Sequence, residues 1–411
     1  MINRDIKTRL ARLLPAVGFF FLLASCGNHQ QLLEKSKEQF QSGQPETALA
    51  EVNRILADDP GHTGARILKA EILADMAFST DPPALRLQHY REMRAVLEPD
   101  NGEDQNFLEK RKEVIYTSWS REQGAAVRSL PREGNDPGSL MYSMAMDHFE
   151  NALAINPDSS TTWKLKSTAH YRHGDVSLAV QTLEKATETL QPVPADFRER
   201  LAFLYLEEGQ LDRSIRAYET LYDQDPENVS WAMGLANAYI LAAQHFNSVP
   251  LLRQLSEEHP ENINTYEALT TELYFLIQTE INGIIDAATA GTGDVLSEEW
   301  PGLEELLLEA EDHLRVVQER HPDPDEFTYL AASFYKNSAA ALLRLASHTS
   351  QEPSPQIRER AHVLLHRSVP LWEAIADRNP ENPEIWRSIY QVYRQLDLNA
   401  EADAIEHRIN L

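Results

Sequence analysis

One turn recurs along this chain and constrains its fold more than any other feature. Asp59-Pro60-Gly61, Pro99-Asp100-Asn101, Asn156-Pro157-Asp158, Pro226-Glu227-Asn228, Pro260-Glu261-Asn262 and Pro380-Glu381-Asn382 each close an amphipathic segment. Proline cannot continue a helix, and the Asn or Asp behind it offers a side-chain oxygen to cap the next one. Pro226 and Pro260 are 34 residues apart, and Pro157 and Pro226 are 69 apart, two such periods. A period of that length belongs to chains that stack one two-helix unit on the next, because a lone pair cannot bury its apolar face. Glycine supports the reading, with 16 in 411 residues. That is about 4% against a usual ~7%, too little for glycine-rich phosphate loops or a many-turned β-protein.

Between the prolines the residues resemble the tetratricopeptide repeat, a 34-residue pair of antiparallel helices. The unit from Ser160 gives Trp163, Ser167, Gly174, Ala179, Leu183 and Ala186. The unit from Ala195 gives Leu201, Ala202, Tyr205, Gly209, Tyr218 and Pro226, and the unit from Val229 gives Leu235, Ala236, Tyr239, Leu252 and Pro260. Gly43, Ala48 and Pro60 fit near the start, and Trp386, Tyr390, Tyr393 and Ala402 near the end. The small residues let two helices approach, and the large ones fill the space between neighbouring pairs. The resemblance implies an all-α, right-handed superhelical solenoid of seven or eight stacked antiparallel pairs over residues 29–411. Several units are elongated or inserted, at about 78–84, 102–138, 264–300 and 348–356, and these read as edge loops. The stretch Thr265–Ala288 reads instead as one long helix, with a seam between sub-solenoids near 263–300.

The chain opens with Arg4, Lys7, Arg9 and Arg12, followed by an apolar run from Leu13 to Ala24. That run is short of the ~20 residues a spanning helix needs and suits a signal-peptide core. It ends Leu23-Ala24-Ser25-Cys26-Gly27, and Cys26 is the only cysteine. The segment resembles a bacterial lipobox, which implies a leader over residues 1–25, lipid attachment at Cys26 and a solenoid over 26–411. Two or three acyl chains at ~0.8 kcal/mol per CH₂ anchor a protein stably. In the sorting rule for such lipoproteins, the absence of aspartate after the cysteine favours the outer membrane, facing the periplasm.

A single cysteine excludes an intrachain disulfide and a cysteine-rich zinc site. The formal charge of −26 repels phosphate backbones, so nucleic acid is not an expected partner. No phosphate loop, nucleophile elbow or His-Glu-x-x-His occurs, and no catalytic residue, metal or cofactor is expected. His362 and His366 share a helical face with Val363-Leu364-Leu365 between them and read as a surface or partly buried pair, as do His170 and His173. Glu298, Glu299, Glu304, Glu305, Glu309, Glu311 and Asp312 read as a solvated face, or as a docking strip for a basic partner or divalent cation.

In peptide-binding members of the family, the first helix of each pair faces a concave groove. The register places Lys164, Tyr171 and Arg172 there from one unit, Asn237 from another, and Arg387 and Arg394 from the last. Lys164 resembles the lysine of a clamp that grips terminal carboxylates, but Thr168 stands where that clamp has asparagine. The leading expectation is a lipid-anchored scaffold that binds envelope proteins or peptides. A ligand-binding component of a nutrient-uptake system, and an enzyme with its site in the inserted segments, are the alternatives.

Overall fold

The computed structural model describes residues 14–99, 102, 104–130, 140–290, 295–320, 324–348 and 353–409, and for residues 14–27, 295, 320 and 324–326 only the backbone. Among these residues there are eighteen α-helices and no strand. The all-α solenoid expected from the period is what forms, as successive helix pairs. The first are α1 (Leu14–Gln41) with α2 (Pro45–Asp58), α3 (Thr63–Ser79) with α4 (Leu87–Val96), and α5 (Gln105–Ser129) with α6 (Leu140–Ile155). Next come α7 (Ser160–His173) with α8 (Val176–Thr189), α9 (Ala195–Glu207) with α10 (Leu211–Gln224), and α11 (Val229–Leu241) with α12 (His245–Glu258). The last are α13 (Ile263–Ala290) with α14 (Val295–Arg320), α15 (Pro324–Ser347) with α16 (Ser354–Arg378), and α17 (Pro383–Gln395) with α18 (Asn399–Ile405). The count is thus nine pairs, more than the seven or eight read from the sequence. The extra material lies largely in 102–138, expected as a loop and found to hold the 25-residue helix α5.

The proline turns act as caps, though not always through the expected residue. Asn228 accepts from the backbone of Trp231 at 3.3 Å, and Asn382 accepts from that of Glu384 at 3.0 Å. Behind Pro157 it is Ser159, not Asp158, whose hydroxyl accepts from Thr162 at 3.2 Å. Behind Pro60 the acceptor is His62 Nδ1, at 3.2 Å from the Ala65 nitrogen. Trp163 and Trp386 brace their turns in the same way, each donating its indole N–H to a proline carbonyl, Pro157 or Pro380, at 2.8 Å. Between the two helices of a pair the backbone turns left-handed. Gly174 and Gly209 occupy that place with φ of 91° and 76°, which glycine adopts without penalty.

The chain divides into two compact units, Met1–Leu204 and Tyr205–Leu411. The division falls within α9 rather than in the 263–300 stretch, and α13 lies wholly in the second unit as the long helix expected there. In the first unit Ala48, Val52, Ile55, Leu68 and Ile72 pack α2 against α3 beneath Leu33 of α1. Tyr90, Met93, Phe107, Val114 and Ile155 join α4, α5 and α6 in a second cluster. No described helix is long and apolar enough to cross a membrane. Residues 1–13 of the expected leader lie outside the described residues, and so does the side chain of Cys26.

Candidate functional site

The first helices of consecutive pairs lie side by side, and their side chains tie them together at a 32-residue offset. Lys164 of α7 meets Asp196 of α9 at 2.6 Å, Arg200 donates to the Thr168 hydroxyl at 2.8 Å, and the rings of Tyr171 and Phe203 meet edge to face at 5.7 Å. Both partners of the ion pair are about half exposed, at 49% and 48%, so water screens it and it contributes about 1 kcal/mol or less. Lys164 and Tyr171 are therefore engaged within the chain, and Thr168, at the asparagine position of the clamp, is engaged by Arg200. Arg172 and Asn237 are exposed and make no side-chain hydrogen bond or ion pair among the described residues. In the last pair Arg387 bonds to Glu384 one turn earlier. Arg394 lies 5.0 Å over the Tyr390 ring and donates to Asn399 at 2.7 Å and Asp403 at 2.5 Å. The six expected groove residues thus stand on three separate helices, and four of them are already partnered.

Open volume lies elsewhere, between successive second helices with a first helix as the floor. A cavity of about 500 Å³ sits among α10, α11 and α12, and one of about 310 Å³ among α6, α7 and α8. Their linings correspond at seven positions at an offset of two repeats, among them Glu219 at Glu150, Leu235 at Lys166, Tyr239 at His170 and Gln254 at Lys185. The family pattern records which positions are small or large in the core and is silent on these variable positions. Superposing the sequence on itself at 69 residues would have found them.

Several buried polar clusters hold the helices in place. Glu122 of α5, 1% exposed, receives Arg86 at 3.0 Å, Tyr90 at 2.7 Å and His148 at 2.6 Å. Burial raises its pKa, but these three donors outweigh burial and hold its carboxyl below the usual range. Glu272 of α13 accepts from both Ser248 and His245, the latter at 2.9 Å. Ser248 is fully buried and bonds the carboxylate rather than the imidazole, so a serine–histidine proton relay is not assembled there. On α14 the acidic run is not a uniform solvated face. Glu309 is gripped by Arg253 at 2.7 and 2.8 Å, and the buried Glu311 by Arg360 at 2.7 Å and Arg367 at 2.6 Å. Burial works against ionisation of Glu309, yet bonds from His313 and Arg253 hold its pKa at about 2.

His170 and His173 form a cluster the sequence did not reveal. The Tyr142 hydroxyl lies 2.7 Å from His170 Nδ1, its ring stacks on His173 at 3.7 Å, and His173 bonds Asp175 at 2.7 Å. His362 is half-buried and His366 exposed. Among the described residues no group of three or more His, Cys, Asp or Glu side chains is arranged to hold a metal ion.

Comparison with known proteins agrees with this architecture. The tetratricopeptide repeat family profile matches residues 205–273. The cytochrome c-type biogenesis protein CycH of Rhizobium meliloti is 27% identical over 139 residues, which cover 33% of this chain and 36% of that protein. The chain thus matches about a third of the length of that relative. The solved structure MamA MSR-1 C2 is 21% identical, covering 51% of this chain and 97% of its own with a TM-score of 0.29. A thermophilic repeat protein of Thermus thermophilus is 17% identical, covering 52% and 99% with a TM-score of 0.23. Both superpose only loosely. Residues 205–273 thus match the tetratricopeptide repeat, and the described helices on either side of them succeed one another as helix pairs of the same kind.

Proposed function

We propose that this protein is a lipid-anchored scaffold of the bacterial cell envelope, tethered through Cys26 to the outer membrane and holding partner proteins or peptides on its periplasmic helices. The observation that carries the reading is the repeat itself. Stacked pairs present an extended array of helix surfaces whose exposed positions vary from unit to unit, which suits them to protein partners. The lipobox-like Leu23-Ala24-Ser25-Cys26 supports the anchor, and the likeness to a cytochrome c-type biogenesis protein supports an assembly role in the envelope. Arg172 in the first unit and Asn237 in the second each offer an unengaged donor for a peptide backbone or carboxylate. Lys164, Arg387 and Arg394 reach a partner by exchanging a neighbouring acid for it, and Tyr171 adds a ring face.

A photoreactive residue placed at position 237 of the full-length protein tests the scaffold in intact envelope membranes. Light-dependent crosslinks to other envelope proteins are the expected result, and crosslinks to lipid alone, or none, contradict it. Mass spectrometry of the mature N-terminus tests the anchor: acylated Cys26 is expected, and an unmodified cysteine in an uncleaved chain refutes it. The aromatic-lined cavity at Tyr222, Tyr239 and Phe246 gives a ligand-binding component of an uptake system some support. Saturable binding of a neutral oligosaccharide such as maltotriose would favour that reading over the scaffold.

A further inference from the structure

The two repeat-equivalent cavities share seven lining positions and have opposite charge balance. In the smaller one the acid is answered from within the chain, because Lys166 bonds Glu150 and Lys185 stands on the opposite wall. In the larger one Leu235 and Gln254 take those two positions, and among the described residues no basic one lines the cavity. Glu219 there accepts the Tyr239 hydroxyl at 2.8 Å and no other side chain among the described residues, and Asp223 lies exposed one turn further along α10. Burial, with Glu219 accepting that bond, pushes the Tyr239 phenol up to about 12, so it stays a neutral donor and adds no charge of its own. The remaining walls are aromatic. Tyr222 crosses toward Gln254 at 3.3 Å, and Phe246 stands 62% exposed at the mouth.

We propose that the cavity among α10, α11 and α12 is a docking pocket for an arginine side chain carried by a basic segment of a partner protein. A guanidinium is planar and weakly hydrated, stacks on aromatic faces and pairs with carboxylates through two parallel N–H groups. The cavity supplies two carboxylates beside three aromatic rings, in a volume within the range of side-chain and small-ligand pockets. An ammonium is a compact, strongly hydrated charge that gains less from flat ring surfaces. The acidic field of a chain with net charge −26 also draws basic segments toward it. The equivalent cavity two repeats earlier is closed from within: Lys166, at the Leu235 position, bonds Glu150.

This pocket specifies the partner chemistry of the scaffold reading and rests on it, but its test stands apart from membrane crosslinking. The probe is a fluorescein-labelled nonapeptide with three arginines among glycines and serines, titrated into the full chain at low salt and followed by anisotropy. Counterparts carry citrulline or lysine at the three positions. The arginine peptide is expected to saturate, and the citrulline and lysine peptides to bind at least about tenfold more weakly, ~1.4 kcal/mol. Glu219→Gln with Asp223→Asn is expected to weaken the arginine peptide about tenfold at an unchanged melting temperature, and Phe246→Ala several-fold. Glu150→Gln in the equivalent cavity, and Glu298→Gln with Glu299→Gln on the exposed start of α14, are expected to leave binding unchanged. The proposal is overturned if the native chain does not bind the arginine peptide, or if lysine binds as well as arginine. It is equally overturned if the Glu298/Glu299 pair weakens binding as much as the Glu219/Asp223 pair, because diffuse charge then accounts for the effect.

Discussion

Glu122 shows how a single polar residue fixes an element. It sits in the buried stripe of α5 and draws Arg86, Tyr90 and His148 onto one carboxylate. Removing one member of a buried charge network leaves the others desolvated without a partner, so Glu122→Ala is expected to cost ~3–5 kcal/mol, read as a fall in the urea midpoint. His170 gives the pH dependence. Burial, reinforced by Lys166, lowers its pKa from 6.5 to about 4 against the opposing pull of Asp175 and Glu150. The fold therefore favours the neutral imidazole, which accepts from the Tyr142 hydroxyl. Its stability contribution is complete above pH 6.5 and is lost as the pH falls toward about 4. Melting temperatures measured over that window are expected to decline less steeply in His170→Gln than in the native chain. Neither role was legible in the sequence. The period locates each residue within its own repeat, while its partner is set by whatever the next repeat brings alongside. Lys164 illustrates the point, since the acid that engages it, Asp196, lies 32 residues on in the following unit.

At the scale of helices and turns the sequence was far more informative, because proline, asparagine and glycine act locally. The turns at Pro226 and Pro380 are capped by the asparagines that follow them, and Gly174 and Gly209 take up the left-handed backbone between paired helices. The same place in two other units is held by Ala243 at φ 53° and Asp397 at φ 59°. A Cβ disfavours that conformation by ~1–2 kcal/mol, and glycine's freedom in the unfolded chain returns part of the difference. Ala243→Gly is accordingly expected to stabilise the protein by about 0.5–1 kcal/mol, seen as a rise in melting temperature. A loss would place the alanine methyl in a packing role instead. The segment 102–138 misled because Gly102, Pro131, Gly134, Pro137 and Gly138 give it a loop-like composition. Its interior carries a four-residue buried spacing, Val114, Ser118, Glu122 and Ala126, and the two polar members of that stripe hid its amphipathic character.

For the whole molecule, the period and the scarcity of glycine led directly to an all-helical repeat protein. The surface was less legible. A degenerate repeat pattern constrains the buried positions by packing, whereas its exposed positions answer only to partners that the sequence does not contain. Whether these exposed positions hold envelope proteins is read by affinity capture from detergent-solubilised envelope membranes of the native host. The full-length protein is compared with a variant carrying Arg172→Glu and Asn237→Asp, two exposed changes expected to leave the melting temperature within a degree or so. A defined set of envelope proteins is expected to be retained by the native chain and depleted several-fold from the variant. Equal retention by both chains, or nothing retained above an unrelated lipoprotein, would contradict it.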